Sequence, residues 1–456
     1  MDALLLARLQ FFLTIGFHFI FPPITIGLSW FIVWFMTKYM RAKEPSKKDY
    51  YRETVKFWVK IFAIFVAVGI ATGLVMEFQF GLNWSEYSRR VGEVFGPALA
   101  MEIMFAFFLE SIFLAVLLRG WSWERISDRF LWFSSILVAL GTTLSAFWIL
   151  VANSWMQTPA GYVLLDDNYF VIEDIWAVVF NPSTIPRFLH TVNASMINGC
   201  FVIIGISAWY ILKNRHQEFA KESLKTALTV AFVASILQGI LGHSHSVQVA
   251  LTQPAKFAAQ EGLMETQAAA PLVIFALILE DGTVIFELAI PWLLGILTHG
   301  DLTTPITGLN DIPIANRPPL MMTFYPFHFM VFLGILFVLF SGIGLFLYYK
   351  KKLKHTDKLG RYFSVLAILI MPLPILSNEF GWITAEVGRQ PWIVYEVIRT
   401  ADAVSPTVPP EQVLFSIILF MAIYALILCL LLFLVIHSVK KGPELPDGNE
   451  KQEVPV

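Results

Sequence analysis

The run Gly381-Trp382-Ile383-Thr384-Ala385-Glu386-Val387-Gly388-Arg389-Gln390-Pro391-Trp392 sets a carboxylate, an arginine and two tryptophans at one end of a membrane-length apolar segment. A carboxylate near hydrocarbon is costly and takes a proton, a cation or a metal as partner. His18, His190 and Met330 each lie in apolar stretches of their own. Together these side chains suggest a metal cofactor held between helices.

His18 stands about ten residues into the first apolar segment, in Thr14-Ile15-Gly16-Phe17-His18-Phe19, and His190 opens the fifth, in Arg187-Phe188-Leu189-His190-Thr191. An imidazole in such surroundings needs partners for its ring nitrogens. Haem iron, with His or His/Met axial ligation, is one answer; a hydrogen bond to a neighbouring helix is the other, and the residues leave both open. A lone Met such as Met330 is more often packing than ligand. Yet His190 and Met330 fall within about a turn of the same membrane face on different helices. A haem between them would be six-coordinate and low-spin, suited to electron transfer. His216, His299, His355 and His437 read as solvated. His243 and His245 fall where the sixth helix meets the following loop, and two residues apart they do not share a helical face, so they make no metal pair.

Glu102 and Glu110 are eight residues, or about two turns, apart on the third helix. Ser145 and Asn153 repeat the spacing on the fourth. The four suit a proton path from mid-membrane outward, or a set of helix–helix hydrogen bonds. Between the sixth and seventh helices, Gln253-Pro254-Ala255-Lys256-Phe257-Ala258-Ala259-Gln260-Glu261 offers a cation and an anion five apart. They form a solvated charge pair, or at a membrane surface a grip for a quinol headgroup.

The elements that position these groups are membrane spans. The chain is 57% hydrophobic and 14% charged, against about 25% charge in soluble domains. Apolar runs of roughly 20 residues recur, enough to cross a bilayer. The near-neutral net charge excludes a nucleic-acid partner. Nine spans are predicted, at about 8–37, 56–79, 96–118, 129–152, 187–212, 223–244, 326–349, 361–383 and 412–437. The first begins almost at Met1 without a basic leader, so it reads as a span and not a cleaved signal. Basic clusters follow the first, third, fifth, seventh and ninth spans, which puts the N-terminus outside and the C-terminus in the cytoplasm. The apolar stretch 272–298 carries Glu280, Asp281 and Glu287; spanning would turn the lysine cluster at 350–361 outward, so it is read as loop. The organisation is then spans 1–6 over 1–245, an outer loop over 246–325, spans 7–9 over 326–441, and a disordered tail over 442–456. Cys200 and Cys429 form no CxxC or CxxCH motif, so any haem is held without cysteine links.

The chain resembles subunit I of cytochrome bd-type quinol oxidases over nearly its whole length. The resemblance rests on Arg8-Leu9-Gln10-Phe11 leading to His18, on Gly69–Gly81 with its Met76-Glu77-Phe78-Gln79-Phe80-Gly81 end, and on Phe107-Phe108-Leu109-Glu110-Ser111. It rests further on Trp148–Gln157, the Gln253–Glu261 motif and the Gly381–Trp392 run. It implies an all-α membrane fold of two four-helix bundles plus one peripheral helix. It implies three haems: low-spin haem b on His190 and Met330, and high-spin haems b and d (or a third b) served by His18 and Glu386, with Glu102 close to or ligating one of them. Lys256 and Glu261 match quinol-loop positions, and Glu110, Ser145 and Asn153 match positions of proton delivery. Trp382 and Arg389 would lie beside the high-spin pair and its propionates. The implied partners are a second subunit of homologous fold, often a small single-helix subunit, membrane lipid, ubiquinol or menaquinol, and oxygen. The implied setting is the bacterial cytoplasmic membrane. His328 stands two residues before Met330, where the best-known members carry arginine. The Gly242–Ser246 dihistidine and the short loop resemble the cyanide-insensitive branch.

The expected function is oxidation of quinol at the outer face and four-electron reduction of oxygen to water. Charge is then separated without a pump. Two readings compete: a proton-coupled transporter using Glu102, Glu110 and Glu386, and a haem b anchor for a quinol dehydrogenase, which leaves His18 and Glu386 idle.

Overall fold

The computed structural model describes residues 2–123, 125–165 and 168–445. Residues 446–456, most of the tail expected to lack structure, lie outside the described residues.

Among the described residues, nine helical segments are long and apolar enough to cross a membrane: Ala3–Arg41, Pro45–Leu82, Ser85–Ser122, Asp128–Gln157, Thr184–Leu212, Gln217–Thr252, Leu320–Tyr349, Lys358–Val387 and Pro410–Lys441. Leucine, isoleucine and phenylalanine dominate them, and in hydrocarbon the helix satisfies every backbone N–H and C=O internally. Spans one to four pack as one bundle and spans five to eight as a second, joined where spans one and four meet span five. The ninth span lies against the outside of the first and second. Where the two bundles meet, Gly27 and Gly199 bring their backbones together, and a Cβ added at Gly199 would lie 2.5 Å from the Gly27 carbonyl carbon.

The first, third and eighth spans are interrupted and the seventh carries an internal proline, whereas the fifth, which carries His190, runs unbroken over Thr184–Leu212. The first breaks between Ala3–Phe19 and Phe21–Arg41. Pro22 and Pro23 have no N–H to give the carbonyls one turn back, those of His18 and Phe19. The eighth breaks between Lys358–Ile370 and Leu373–Val387 at Pro372 and Pro374. Pro326 lies inside the seventh span, one turn before Met330. In the third, Pro97 precedes a π-helical stretch over Glu102–Phe107.

The loop between the sixth and seventh spans is folded. Pro254–Glu261 forms a helix closed by Gly262 at φ +71°. Leu272–Ile278 pairs with Val284–Ile290 as an antiparallel hairpin, so the apolar stretch at 272–298 does not span. The hairpin is tied to the seventh span. Glu280 accepts from the Leu320 and Met321 amides, at 2.8 and 2.9 Å. The Tyr325 hydroxyl bonds both the N–H and the carbonyl of Ile278 at 3.0 Å.

Candidate functional site

Around His18, the first and second spans share a ladder of polar side chains. Asn83 donates to Gln10 Oε1 at 2.5 Å, and Gln79 donates to the Thr14 hydroxyl at 3.4 Å. One turn deeper, His18 Nδ1 lies 2.9 Å from Thr72 Oγ1. The Thr72 hydroxyl spends its own hydrogen on the Val68 carbonyl at 2.9 Å, so its oxygen accepts from Nδ1–H. That fixes the tautomer and leaves Nε2 with a free lone pair, the arrangement of a metal-ligating histidine with its outer partner in place. A Cβ on Gly73 would lie 3.2 Å from the ring.

His190 faces the sixth span. Gln238 Nε2 lies 3.2 and 3.1 Å from its two ring nitrogens and donates to its carbonyl at 3.1 Å. Asn193 holds the Gln238 carbonyl oxygen at 2.6 Å. The His245 ring is 5.6 Å away, centre to centre. The sixth helix continues to Thr252, so the two histidines at 243 and 245 lie within it and not at its junction with the loop. His243 is exposed and His245 half-buried, on different faces as their spacing requires. Gly242 puts its Cα beside the His190 ring, with 3.3 Å to an added Cβ. Met330 Sδ is met in the same way by Gly381, at 2.8 Å. His18, His190 and Met330 thus each have a glycine of another helix against them, where a methyl group would fill the space.

His328 turns both ring nitrogens to backbone carbonyls, Phe324 and Val273, at 3.0 Å each. It clamps the hairpin to the seventh span.

Glu386 ends the eighth span among cations. Its Oε1 accepts from Asn153 and Gln157, both at 3.1 Å, and its Oε2 accepts from Arg389 at 2.5 Å. Arg187 Nη2 lies 3.9 Å from Oε1 and also donates to the Asn153 carbonyl oxygen. Gln157 turns its own carbonyl oxygen to Lys256 Nζ, so one amide joins the loop helix to Glu386. Gln253 takes a second Lys256 hydrogen at 2.5 Å. Lys256, Arg389 and Arg187 are 2%, 4% and 8% exposed. Two buried arginines against one carboxylate leave an excess of positive charge. Arg389 Nε and Nη1 and Arg187 Nε are buried without partners. Buried arginine donors are ordinarily satisfied, so the pocket has the donors to hold an anion.

Lys256 and Glu261 are not a solvated pair. Both are buried, and no ion pair joins them among the described residues. Burial, with Arg187 near, holds the Lys256 ammonium well below the usual lysine range. Burial pushes the Glu261 carboxyl up to about 7, and Glu261 Oε2 has no partner.

The four residues expected on one proton path divide. Ser145 donates to Glu102 at 2.9 Å, whereas Asn153 belongs to the Glu386 cluster. Glu77 and Glu110 lie within electrostatic reach of Glu102. The π-helical turn intervenes between Glu102 and Glu110, so their eight residues are not two α-turns. Trp382 packs on Phe12 of the first span, ring centres 5.7 Å apart. Thr72, Gln157, Arg187 and Gln238 join the site without having been singled out, and His245, set aside as a metal ligand, joins it beside His190. Gln238, Gly242 and His245 have i, i+4, i+7 spacing, the one sequence signal that could have found them.

Among the described residues no three His, Cys, Asp or Glu gather as a bare-ion site. The candidate ligands stand singly, which suits a macrocycle that supplies four donors itself.

A family model described as cytochrome bd terminal oxidase subunit I matches residues 6–443. The chain belongs to that family. It is 37% identical to cytochrome bd ubiquinol oxidase subunit 1 of Bacillus subtilis, over 100% of this chain and 97% of the relative. It is 34% identical to cytochrome bd-II ubiquinol oxidase subunit 1 of Escherichia coli, over 98% of each. Its fold matches the bd oxidase of Geobacillus thermodenitrificans with TM-score 0.87 at 30% identity, covering 97% of this chain and 99% of that one. As a cytochrome bd subunit I, the protein is a multi-pass membrane oxidoreductase of the terminal quinol oxidase type, a haem-bearing class. The family match replaces the transporter and haem-anchor readings.

Proposed function

We propose that this subunit oxidises quinol at the Lys256–Glu261 loop and reduces oxygen to water with three haems, separating charge without pumping protons. The observation that carries the reading is the buried cationic pocket around Glu386, whose leftover arginine donors fit haem propionates. His190 and Met330 would hold a low-spin haem b. His18 and Glu386 would hold the high-spin haems b and d, or two haems b, with Glu102 beside one. These groups, when bound, supply one-electron transfer and the oxygen-binding iron.

The chain's own residues handle binding and protons. Glu261, with a pKa of about 7 and a free oxygen, accepts a quinol proton. Lys256 orients the headgroup, and its bond to Gln157 couples that position to Glu386. Glu102, with Ser145 as donor, and Glu110 carry protons the other way. With the N-terminus outside, quinol releases protons outside while oxygen reduction takes them from the cytoplasm. The partners are subunit II, a small single-helix subunit, membrane lipid, ubiquinol or menaquinol, and oxygen, in a bacterial cytoplasmic membrane.

The test is the purified complex in vesicles, given quinol and oxygen. One charge translocated per electron, with water as product, agrees with the proposal. Two charges per electron would mean a pump, and no oxygen uptake would remove the activity.

A further inference from the structure

One carboxylate of the eighth span has no role in this arrangement. Glu379 lies seven residues, or about 10 Å, deeper than Glu386 along the same helix. Two turns separate them, so they share a face. Their surroundings differ. Both Glu386 oxygens have donors. Glu379 Oε1 is buried and has none, and Asn378 Nδ2 beside it is also buried without a partner. Glu379 Oε2 comes within 3.4 Å of where a Cβ would stand on Gly16. The carboxylate therefore lies in van der Waals reach of the first helix at Gly16, two residues along the chain from His18. Trp382, one turn on, makes the next contact between the same two helices.

A carboxyl group in hydrocarbon needs a partner, and a proton is the partner that requires no second side chain. Reduction of one O2 to two waters consumes four electrons and four protons. Two quinols supply the electrons but release their own four protons at the loop. On the proposed charge-separating function the consumed protons arrive from the opposite side. Glu379 lies on that side of Glu386, against the helix that carries His18.

We propose that Glu379 is a proton carrier of the oxygen-reducing site. Its O–H bond breaks as the proton moves toward the His18 side, and the carboxylate then takes a fresh proton from deeper in the membrane. This rests on the reading that His18 holds a haem.

The test compares the wild-type complex with Glu379→Gln and Glu379→Asp. Gln keeps the shape without an exchangeable acid proton; Asp keeps the acid. The expected result is turnover lowered about 100-fold in Glu379→Gln, with KM for quinol and haem content unchanged, and substantial recovery in Glu379→Asp. The redox-induced infrared difference spectrum should lose one carboxyl C=O band in Glu379→Gln and keep it, shifted, in Glu379→Asp. Full turnover with an unchanged infrared spectrum in Glu379→Gln would overturn the proposal. Haem loss in both variants would overturn it too, because Glu379 would then be a packing residue. A wild-type complex lacking the high-spin haems would defeat the underlying reading first, before any variant is made.

Discussion

Gly381→Ala separates a ligand methionine from a packing methionine. The added Cβ would sit 2.8 Å from Met330 Sδ, where an ordinary contact is about 3.5–4.0 Å. The sulfur must retreat by about 1 Å. A free thioether has three rotatable bonds and moves aside at little cost. A thioether bonded to iron cannot, and overpacking of this kind costs about 1–3 kcal/mol. At 1.4 kcal/mol per decade, that is a loss of roughly 5- to 150-fold in ligand occupancy. The assay is the reduced visible spectrum with and without carbon monoxide. The expected outcome is a weakened low-spin band and new carbon monoxide binding at the vacated position, with thermal stability nearly unchanged. A full low-spin band with no new carbon monoxide binding would refute the argument that Met330 is a ligand.

Thr72→Val removes the acceptor for His18 Nδ1–H; loss of such an outer partner costs about 10- to 100-fold in metal affinity, read as high-spin haem content against unchanged low-spin haem. Quinol oxidation in the wild type should rise with pH through about 7, as Glu261 loses its proton and becomes an acceptor; Glu261→Gln should be slow and flat over that range, and a retained rise would exclude Glu261. Gly199→Ala drives a Cβ to 2.5 Å from backbone at Gly27, where no side chain can swing away; it should cost about 3 kcal/mol or more, seen as a lowered melting temperature in detergent.

The membrane class, the nine spans and the non-spanning stretch at 272–298 were legible because hydropathy and basic clusters are properties of single segments. The break after His18 was also written in Pro22-Pro23, yet a hydropathy window runs straight across it. What was not legible depends on two segments at once. Gln157 links Lys256 to Glu386 only because the fourth span ends under the loop helix. Arg187 resembles any arginine at a helix start until Asn153 and Glu386 come beside it. The π-helical turn after Glu102 shifts the register in a way ideal periodicity cannot show, so the even spacing of Glu102, Glu110, Ser145 and Asn153 suggested one line where the fold makes two clusters. His328, expected near a haem for its position, is spent on two carbonyls that only the hairpin brings within reach.

The measurement that tests the central claim most directly is the dithionite-reduced minus air-oxidised visible spectrum of the purified complex, repeated with His190→Ala and His18→Ala. The account predicts low-spin and high-spin haem features in the wild type, selective loss of the low-spin band in His190→Ala, and selective loss of a high-spin feature in His18→Ala. A colourless protein, or both variants retaining the full wild-type spectrum, would contradict it.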